Sequence, residues 1–285
     1  MRFRIDHTTC YTYSQPVFLE PHVVRLRPRC EASQRLERFQ LEIHPAPAGL
    51  SEGLDAENNA FTLLWFDGLR DRLEITTSAE VQTLRTNPYE GLLMDGADRL
   101  ARRELRPDEM ALRPYLPADV PQDSSEPSGI EALVTGLMSE VEARTLDFLY
   151  RLATRLHQTI EKVERAEPGI QAPTQTLRTG AGACRDLAVL FMTACRQVGL
   201  PARFVSGYQQ GDPEEPYREL HAWAEVFLPG FGWRGYDPTL GLAVADRHVA
   251  VAAAALPENA APVEGTFRGT DATAQLQHTV TISGG

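Results

Sequence analysis

The sequence predicts an α+β protein, with strands gathered at the front of the chain and helices followed by a hairpin behind them. Three observations carry this. Apolar residues recur with period 2 through much of residues 1–85. Two later stretches, 145–165 and the run from Leu187 to Val198, repeat at the i, i+3, i+4, i+7 spacing of a helix buried on one face. Beyond them, alternating segments flank Pro229-Gly-Phe-Gly232, the composition of a hairpin turn.

The 285 residues suffice for two modest domains or one large one. Hydrophobic residues at 42% and charged residues at 24% are ordinary for a globular protein. The net charge of −11, from 28 basic and 39 acidic residues, argues against nucleic acid or an anionic membrane surface as partner. No apolar run approaches the roughly 18 residues of a spanning helix. The N-terminal Met1-Arg-Phe-Arg-Ile-Asp-His7 alternates like a strand and lacks the apolar core of a signal peptide, so the expected location is cytoplasmic. Cys10, Cys30, Cys184 and Cys195 show no CxxC spacing, which indicates neither a zinc ribbon nor a disulfide framework.

In the front module Phe3, Ile5, His7, Thr9, Tyr11 and Tyr13 alternate, as do Val24 and Leu26, Phe39 to Ile43, and Leu73 with Ile75. A turn at Asp55 to Asn59 precedes the apolar run Phe61 to Phe66. No cluster of titratable groups looks catalytic here, and His7, His22 and His44 read as structural or exposed. This module is assigned to 1–105. Pro107, Pro114, Pro117, Pro121 and Pro127 then interrupt the pattern, so 106–129 is expected to be an extended surface linker without helix.

The second domain is assigned to 130–285. Some helix is expected around Glu131 to Val141. The next helix, 145–165, would bury Leu146, Leu149, Leu152, Leu156, Ile160 and Val163 and stop at Pro168-Gly169. His157 and Glu161 stand at i and i+4 on it, a surface pair rather than a metal site in the absence of a second histidine. A strand at Arg203 to Tyr208, a polar loop at 209–218, the hairpin strands Glu219 to Leu228 and Trp233 to Asp237, and a final alternation from Gln275 to Ile282 complete the chain.

Cys184 sits where Gly180-Ala-Gly-Ala183 ends and a helix begins. A thiol in a first helical turn feels the positive dipole end and unpaired N–H groups, both of which favour the thiolate. Taken alone, Cys184 reads equally well as a small residue packed at a helix start. His221 and Asp237 then follow in strands, so the chain supplies a nucleophile, a base and a group to orient the base. Whether the last two meet is a matter of register. Pairing 228 with 233 turns Asp237 away from His221; pairing 228 with 232 sets Asp237 opposite Trp223, on the face of His221. Glycines 230, 232 and 235 make the shifted register or a bulge easy to adopt.

Gly182-Ala-Cys184-Arg-Asp-Leu-Ala188, Gly199-Leu-Pro-Ala-Arg-Phe-Val-Ser-Gly-Tyr208, His221-Ala-Trp-Ala-Glu-Val226 and Gly232-Trp-Arg-Gly-Tyr-Asp237-Pro-Thr239 together resemble the bacterial transglutaminase-like superfamily. Tyr11-Thr-Tyr13, Leu26-Arg-Pro-Arg29, Gln40 to Pro45 and the Asp55 turn resemble the β-domain that precedes the core in one branch. The resemblance implies an N-terminal antiparallel β-domain followed by a papain-like, transglutaminase-like core, its Cys-bearing helix packed on an antiparallel sheet. It also implies Cys184, His221 and Asp237 as catalytic residues and thiol acyl transfer on a peptide or amide substrate, by a protease, amidase or transglutaminase. No metal or cofactor is required. Where the family branch continues with a His and a Gly-Arg-Asp-Tyr-like segment, this chain has Arg247-His248-Val249 and then Ala250 to Pro257, and His248 reads as structural.

In such a mechanism the Cys184 backbone N–H is the obvious oxyanion donor, with Gln171 and Gln175 as candidates for a second. Trp223 and Tyr208 are candidates to line the substrate pocket, core packing being the other reading of each. Rival functions are an arylamine N-acetyltransferase-like acyltransferase, a non-catalytic module that keeps the fold, and a metal site built from Cys184, His221 and Asp237.

Overall fold

The computed structural model describes residues 1–100, 105, 107–117, 129–165, 167, 169–211 and 218–284. The chain opens with six strands, β1 (Arg2–Leu19), β2 (His22–Val24), β3 (Gln34–His44), β4 (Gly49–Leu54), β5 (Ala60–Trp65) and β6 (Leu69–Thr83). The second half carries helices α1 (Gly129–Glu140), α2 (Thr145–Thr159), α3 (Pro173–Thr179) and α4 (Cys184–Gln197). Its strands are β7 (Glu161–Lys162), β8 (Ala181–Gly182), β9 (Ala202–Gln209), β10 (His221–Leu228), β11 (Gly232–Asp237), β12 (Leu242–Ala243), β13 (His248–Ala254), β14 (Val263–Glu264), β15 (Phe267–Arg268) and β16 (Ala274–Gly284). The protein is α+β, with mostly antiparallel sheets.

The alternation in β1 buries Phe3, Ile5 and His7 on one face. This strand pairs with β6, which continues to β3, and on its other side with β15 and β16. The last strand therefore lies in the front sheet: it runs antiparallel to β1 from Phe3 opposite Gly284 to Tyr13 opposite Ala274. A second small sheet, in the order β14-β2-β5-β4, packs on the first through Val17, Leu19, Leu26, Leu64 and Leu73.

The third sheet, β12-β11-β10-β9-β13, is antiparallel and bears α4 on one face. Leu187, Leu190, Phe191, Ala194 and Cys195 of the helix meet Ala222, Ala224, Val226 and Leu228 of β10 in one buried cluster. Small residues on the strand let the helix approach, and each fully buried Leu or Phe contributes roughly 1.5–3 kcal/mol. Phe148, Leu149, Leu152 and Leu156 of α2 extend the same core.

The outer edge of β13 is satisfied by side chains of the front module. Gln34 exchanges two 2.8 Å hydrogen bonds with the peptide groups of Ala250. Asn59 does the same with Ala253, donating at 2.9 Å and accepting at 2.8 Å, and Glu57 accepts from the Ala255 N–H at 2.7 Å. A primary amide reproduces the donor and acceptor of a neighbouring peptide unit, so buried edge groups keep partners without another strand.

Two expectations are corrected. The second helix ends at Thr159, not 165, because Glu161 and Val163 donate to the carbonyls of Gly180 and Gly182 and the chain turns into a short parallel pairing. Glu161 is therefore off the helix, and His157 instead engages the Thr239 carbonyl at 2.8 Å. Within 106–129, a 3-10 helix spans Pro107–Tyr115 and α1 begins at Gly129. The ring of Tyr115 packs edge-on against Trp233, and its hydroxyl donates to Glu57, so this part of the segment is docked rather than extended.

Candidate active site

The site grows from the start of α4. Ala183 is its N-cap but has no side-chain oxygen. Asp186, three residues on and 0% exposed, fills that role by accepting the Ala183 N–H at 2.9 Å. Its carboxylate also takes the Gln171 N–H at 2.8 Å and two bonds from Arg165, at 2.9 and 2.7 Å. Arg185 donates to the carbonyls of Gly169, Arg165 and Glu167. The loop before the helix is thus tied to its first turn, and Cys184 is held at that turn with its N–H outside the intrahelical ladder.

Strand register sets the other half. Leu228 pairs with Gly232 and Ala224 with Tyr236, the shifted pairing that puts Asp237 on the face of His221. His221 Nε2 lies 2.7 Å from Asp237 Oδ2, and the Cys184 thiol lines the same cleft as the imidazole, near enough for each to shift the proton affinity of the other. With Nε2 on the carboxylate, Nδ1 is the nitrogen left for sulfur. Asp237 is 0% exposed, and its Oδ1 accepts the N–H groups of Thr239 and Leu240 at 2.9 and 3.2 Å. Gly207 stands opposite His221, and a Cβ there would fall 2.2 Å from the Val249 carbonyl and 2.7 Å from the Trp223 ring.

The electrostatics follow from burial and charge. Burial opposes a charged His221, but Asp237 and the thiolate outweigh it and raise the imidazole from 6.5 to about 10. Burial pushes the Cys184 thiol up; the hydrogen bond and charge of His221, with the Ala222 backbone N–H, bring it below its ordinary 9.0. Burial likewise works against the Asp237 carboxylate, yet the two histidines hold it well below the usual carboxylate range. These groups favour a thiolate–imidazolium pair backed by a carboxylate.

A fourth residue joins them. His248, buried at the start of β13, places Nε2 3.0 Å from the same Asp237 Oδ2. Burial keeps its pKa low, so it is neutral and donates Nε2–H, while its Nδ1 is buried without a partner among the described residues. His248 is more than the structural residue that the sequence suggested; its signal was a lone His just past the Asp-Pro-Thr run. His221, Asp237 and His248 bring three ligand atoms within 4.8 Å of one another, the set among the described residues that could hold a metal. Cys184 is outside that set, and a cation there would have to displace both hydrogen bonds to Oδ2.

Other candidates fall elsewhere. Tyr208 is buried between the sheets, 2.8 Å from His7 Nδ1, and packs with Phe3, Ile5 and Val249, so it does not line the cleft. Trp223 is buried behind the site, stacked at 6.3 Å on His221 and edge-on to His248 at 5.2 Å. Both large side chains took the core reading because each lies under a neighbouring ring or sheet. Gln171 spends its amide donors on Thr176 Oγ1 and the Ala181 carbonyl, and Gln175 is exposed on α3; neither lines the cleft over Cys184. Of the loop at 209–218, residues 212–217 lie outside the described residues.

A cleft of about 530 Å3 opens over Cys184 and His221, within the usual size of ligand sites. Its near wall is Phe204, Ser206, Leu220 and Ala222; its far wall is the segment Pro257 to Glu264, absent from the sequence expectations. A second hollow of about 330 Å3 between the two front sheets, beside Arg27 and Phe39, is lined by neither cysteine nor histidine.

Residues 3–82 match the bacterial transglutaminase-like N-terminal region, and residues 131–238 match the transglutaminase-like superfamily. An uncharacterised protein of Mycobacterium tuberculosis is 29% identical over 273 residues, spanning 88% of this chain and 82% of that one. A protein-glutamine gamma-glutamyltransferase of Pseudomonas aeruginosa is 38% identical over 72 residues, 23% of this chain and 11% of that protein. The solved structure of a candidate cysteine protease from Cytophaga hutchinsonii superposes with a TM-score of 0.69 at 19% identity, covering 99% of this chain and 90% of that one, and shares its fold. With both regions matched in order, the chain belongs to the transglutaminase-like superfamily, its core preceded by the bacterial transglutaminase-like N-terminal region.

Proposed function

We propose that the protein is a thiol-dependent amide hydrolase or acyltransferase acting through Cys184, His221 and Asp237 on a peptide or amide substrate. The observation that carries this reading is the 2.7 Å hydrogen bond from the His221 ring to a carboxylate with no solvent exposure, beside a Cys184 thiol that lines the same cleft. The thiolate attacks the amide carbonyl carbon, forming the C–S bond. The negative oxygen is met by the Cys184 backbone N–H at the head of α4. Collapse breaks the C–N bond, the amine leaves with the proton from His221, and a thioester remains. Water or a second amine, deprotonated by His221, then attacks the thioester and returns the thiol. Asp237 fixes the Nε2–H tautomer and stabilises the charged ring throughout. No step needs a metal or cofactor.

Iodoacetamide labelling tests the activated thiol. Fast alkylation of Cys184 at neutral pH, lost in His221→Ala, is the expected outcome; equally slow alkylation of both proteins would sink the reading. Profiling against peptide and γ-glutamyl amides, with and without a primary amine, then separates hydrolysis from transfer.

A further inference from the structure

The far wall of the cleft is a sheet edge that no further strand covers among the described residues. Strand β14 is the outermost strand of the order β14-β2-β5-β4, and Val263 faces Val24 across the pair. The Arg25 N–H donates to the Pro262 carbonyl at 2.8 Å, so the 262/25 pair is the hydrogen-bonded one. In an antiparallel ladder such pairs alternate with pairs whose backbone groups point outward. The N–H and C=O of Val263 therefore turn away from β2, at a residue that itself lines the cleft. An N–H and a C=O of one residue, aimed together from an edge, are what a single residue of an extended chain needs to pair.

We infer that the edge of β14 binds the substrate as an added strand, the Val263 peptide groups pairing with one residue of an extended, largely apolar polypeptide whose carbonyl lies over Cys184. This rests on the proposed thiol chemistry and adds its substrate geometry. Phe204, Leu220, Ala222 and Ala261 give the cleft an apolar lining suited to such side chains. A small amide without a flanking backbone would have no use for this edge. The far wall belongs to a strand held in place by β2, so the front module shares in building the binding site.

Two measurements test this separately from the chemistry. Binding of a fluorescein-labelled pentapeptide, Ala-Val-Leu-Val-Ala, to the Cys184→Ala protein is followed by polarisation, along with variants of the peptide N-methylated at each residue in turn. One position is expected to lose about tenfold in affinity on N-methylation, as for the loss of one hydrogen bond, while its neighbours lose little. Val263→Pro, which removes the outward N–H without touching the β2 ladder, is expected to lose a similar factor, and Val263→Ile to retain binding. No measurable binding, or a flat N-methyl series, overturns strand addition, whatever the folding of the variants. The iodoacetamide rate at Cys184 in the otherwise unaltered protein reports on the thiol chemistry alone, so the two readings fail independently.

Discussion

Replacing Asp237 with asparagine changes one atom and reverses the logic of the site. Oδ1 accepts the N–H groups of Thr239 and Leu240, while Oδ2 receives His221 and His248 at 2.7 and 3.0 Å. Backbone N–H groups cannot become acceptors, so the asparagine must keep its oxygen there and turn its NH2 to both imidazoles. Each ring must then bare Nε2 and carry its proton on Nδ1. For His221 this points an N–H at the thiol, the tautomer that cannot accept its proton. The carboxylate that overcame burial and raised His221 to about 10 is also lost. A buried charged partner of this kind is worth about 3–5 kcal/mol, which corresponds to roughly 10²–10⁴ in rate. Second-order alkylation of Cys184 by iodoacetamide at neutral pH, read by mass spectrometry, is expected to fall by that factor with the fold retained in circular dichroism. A rate within about threefold of the parent would refute the reasoning, since a factor that small is under 1 kcal/mol.

The alkylation rate should rise with pH at values below the thiol's ordinary 9.0, whereas in His221→Ala burial dominates and the rise should move above it. Stability follows the same charges: the contribution of His221 is complete below 6.5 and lost as pH rises through about 10. That of Asp237 is present above 3.8 and lost as pH falls through its depressed value. The melting-temperature gap between the parent and Asp237→Asn should therefore be widest between those limits, from 3.8 to 6.5, and a pH-independent gap would contradict it. His248→Ala removes one donor from Asp237 and should lower kcat/KM by roughly ten- to a hundredfold, the value of one hydrogen bond to a charged group, with little change in KM. Asp186→Ala strands Arg165 and two N–H groups and should cost about 3–5 kcal/mol in urea unfolding, the range for breaking a buried ion pair. Asn59→Ala leaves the Ala253 peptide unit unpaired and should cost roughly 2–3 kcal/mol by the same measurement.

Local pattern revealed the parts of the molecule that local physics decides. The apolar stripe of α4, the alternation of β1 and the turn between β10 and β11 are short-range signals, and each element formed where its period placed it. The union of Cys184, His221 and Asp237 could be anticipated because three residues of matching chemistry sit on such elements, and glycines allowed the one register that joins two of them. What could not be read depends on contacts across the chain. His248 meets Asp237 only because β13 lies beside β9, and Tyr208 became core because β1 and β6 cover that end of the sheet. The far wall of the cleft comes from a two-residue strand whose pattern is too short to register. Gln171 looked available as a donor until Thr176 and Ala181 claimed its amide.

The pairing of β1 with β16 has a consequence for how the chain comes to be folded. His7 lies opposite Val280, so the front sheet cannot be finished until nearly everything between them has been synthesised. Closing so long a loop is entropically expensive, and such distant pairing is slow to form. During translation β1 therefore waits with one flank bare, a surface open to misdirected pairing with another nascent chain.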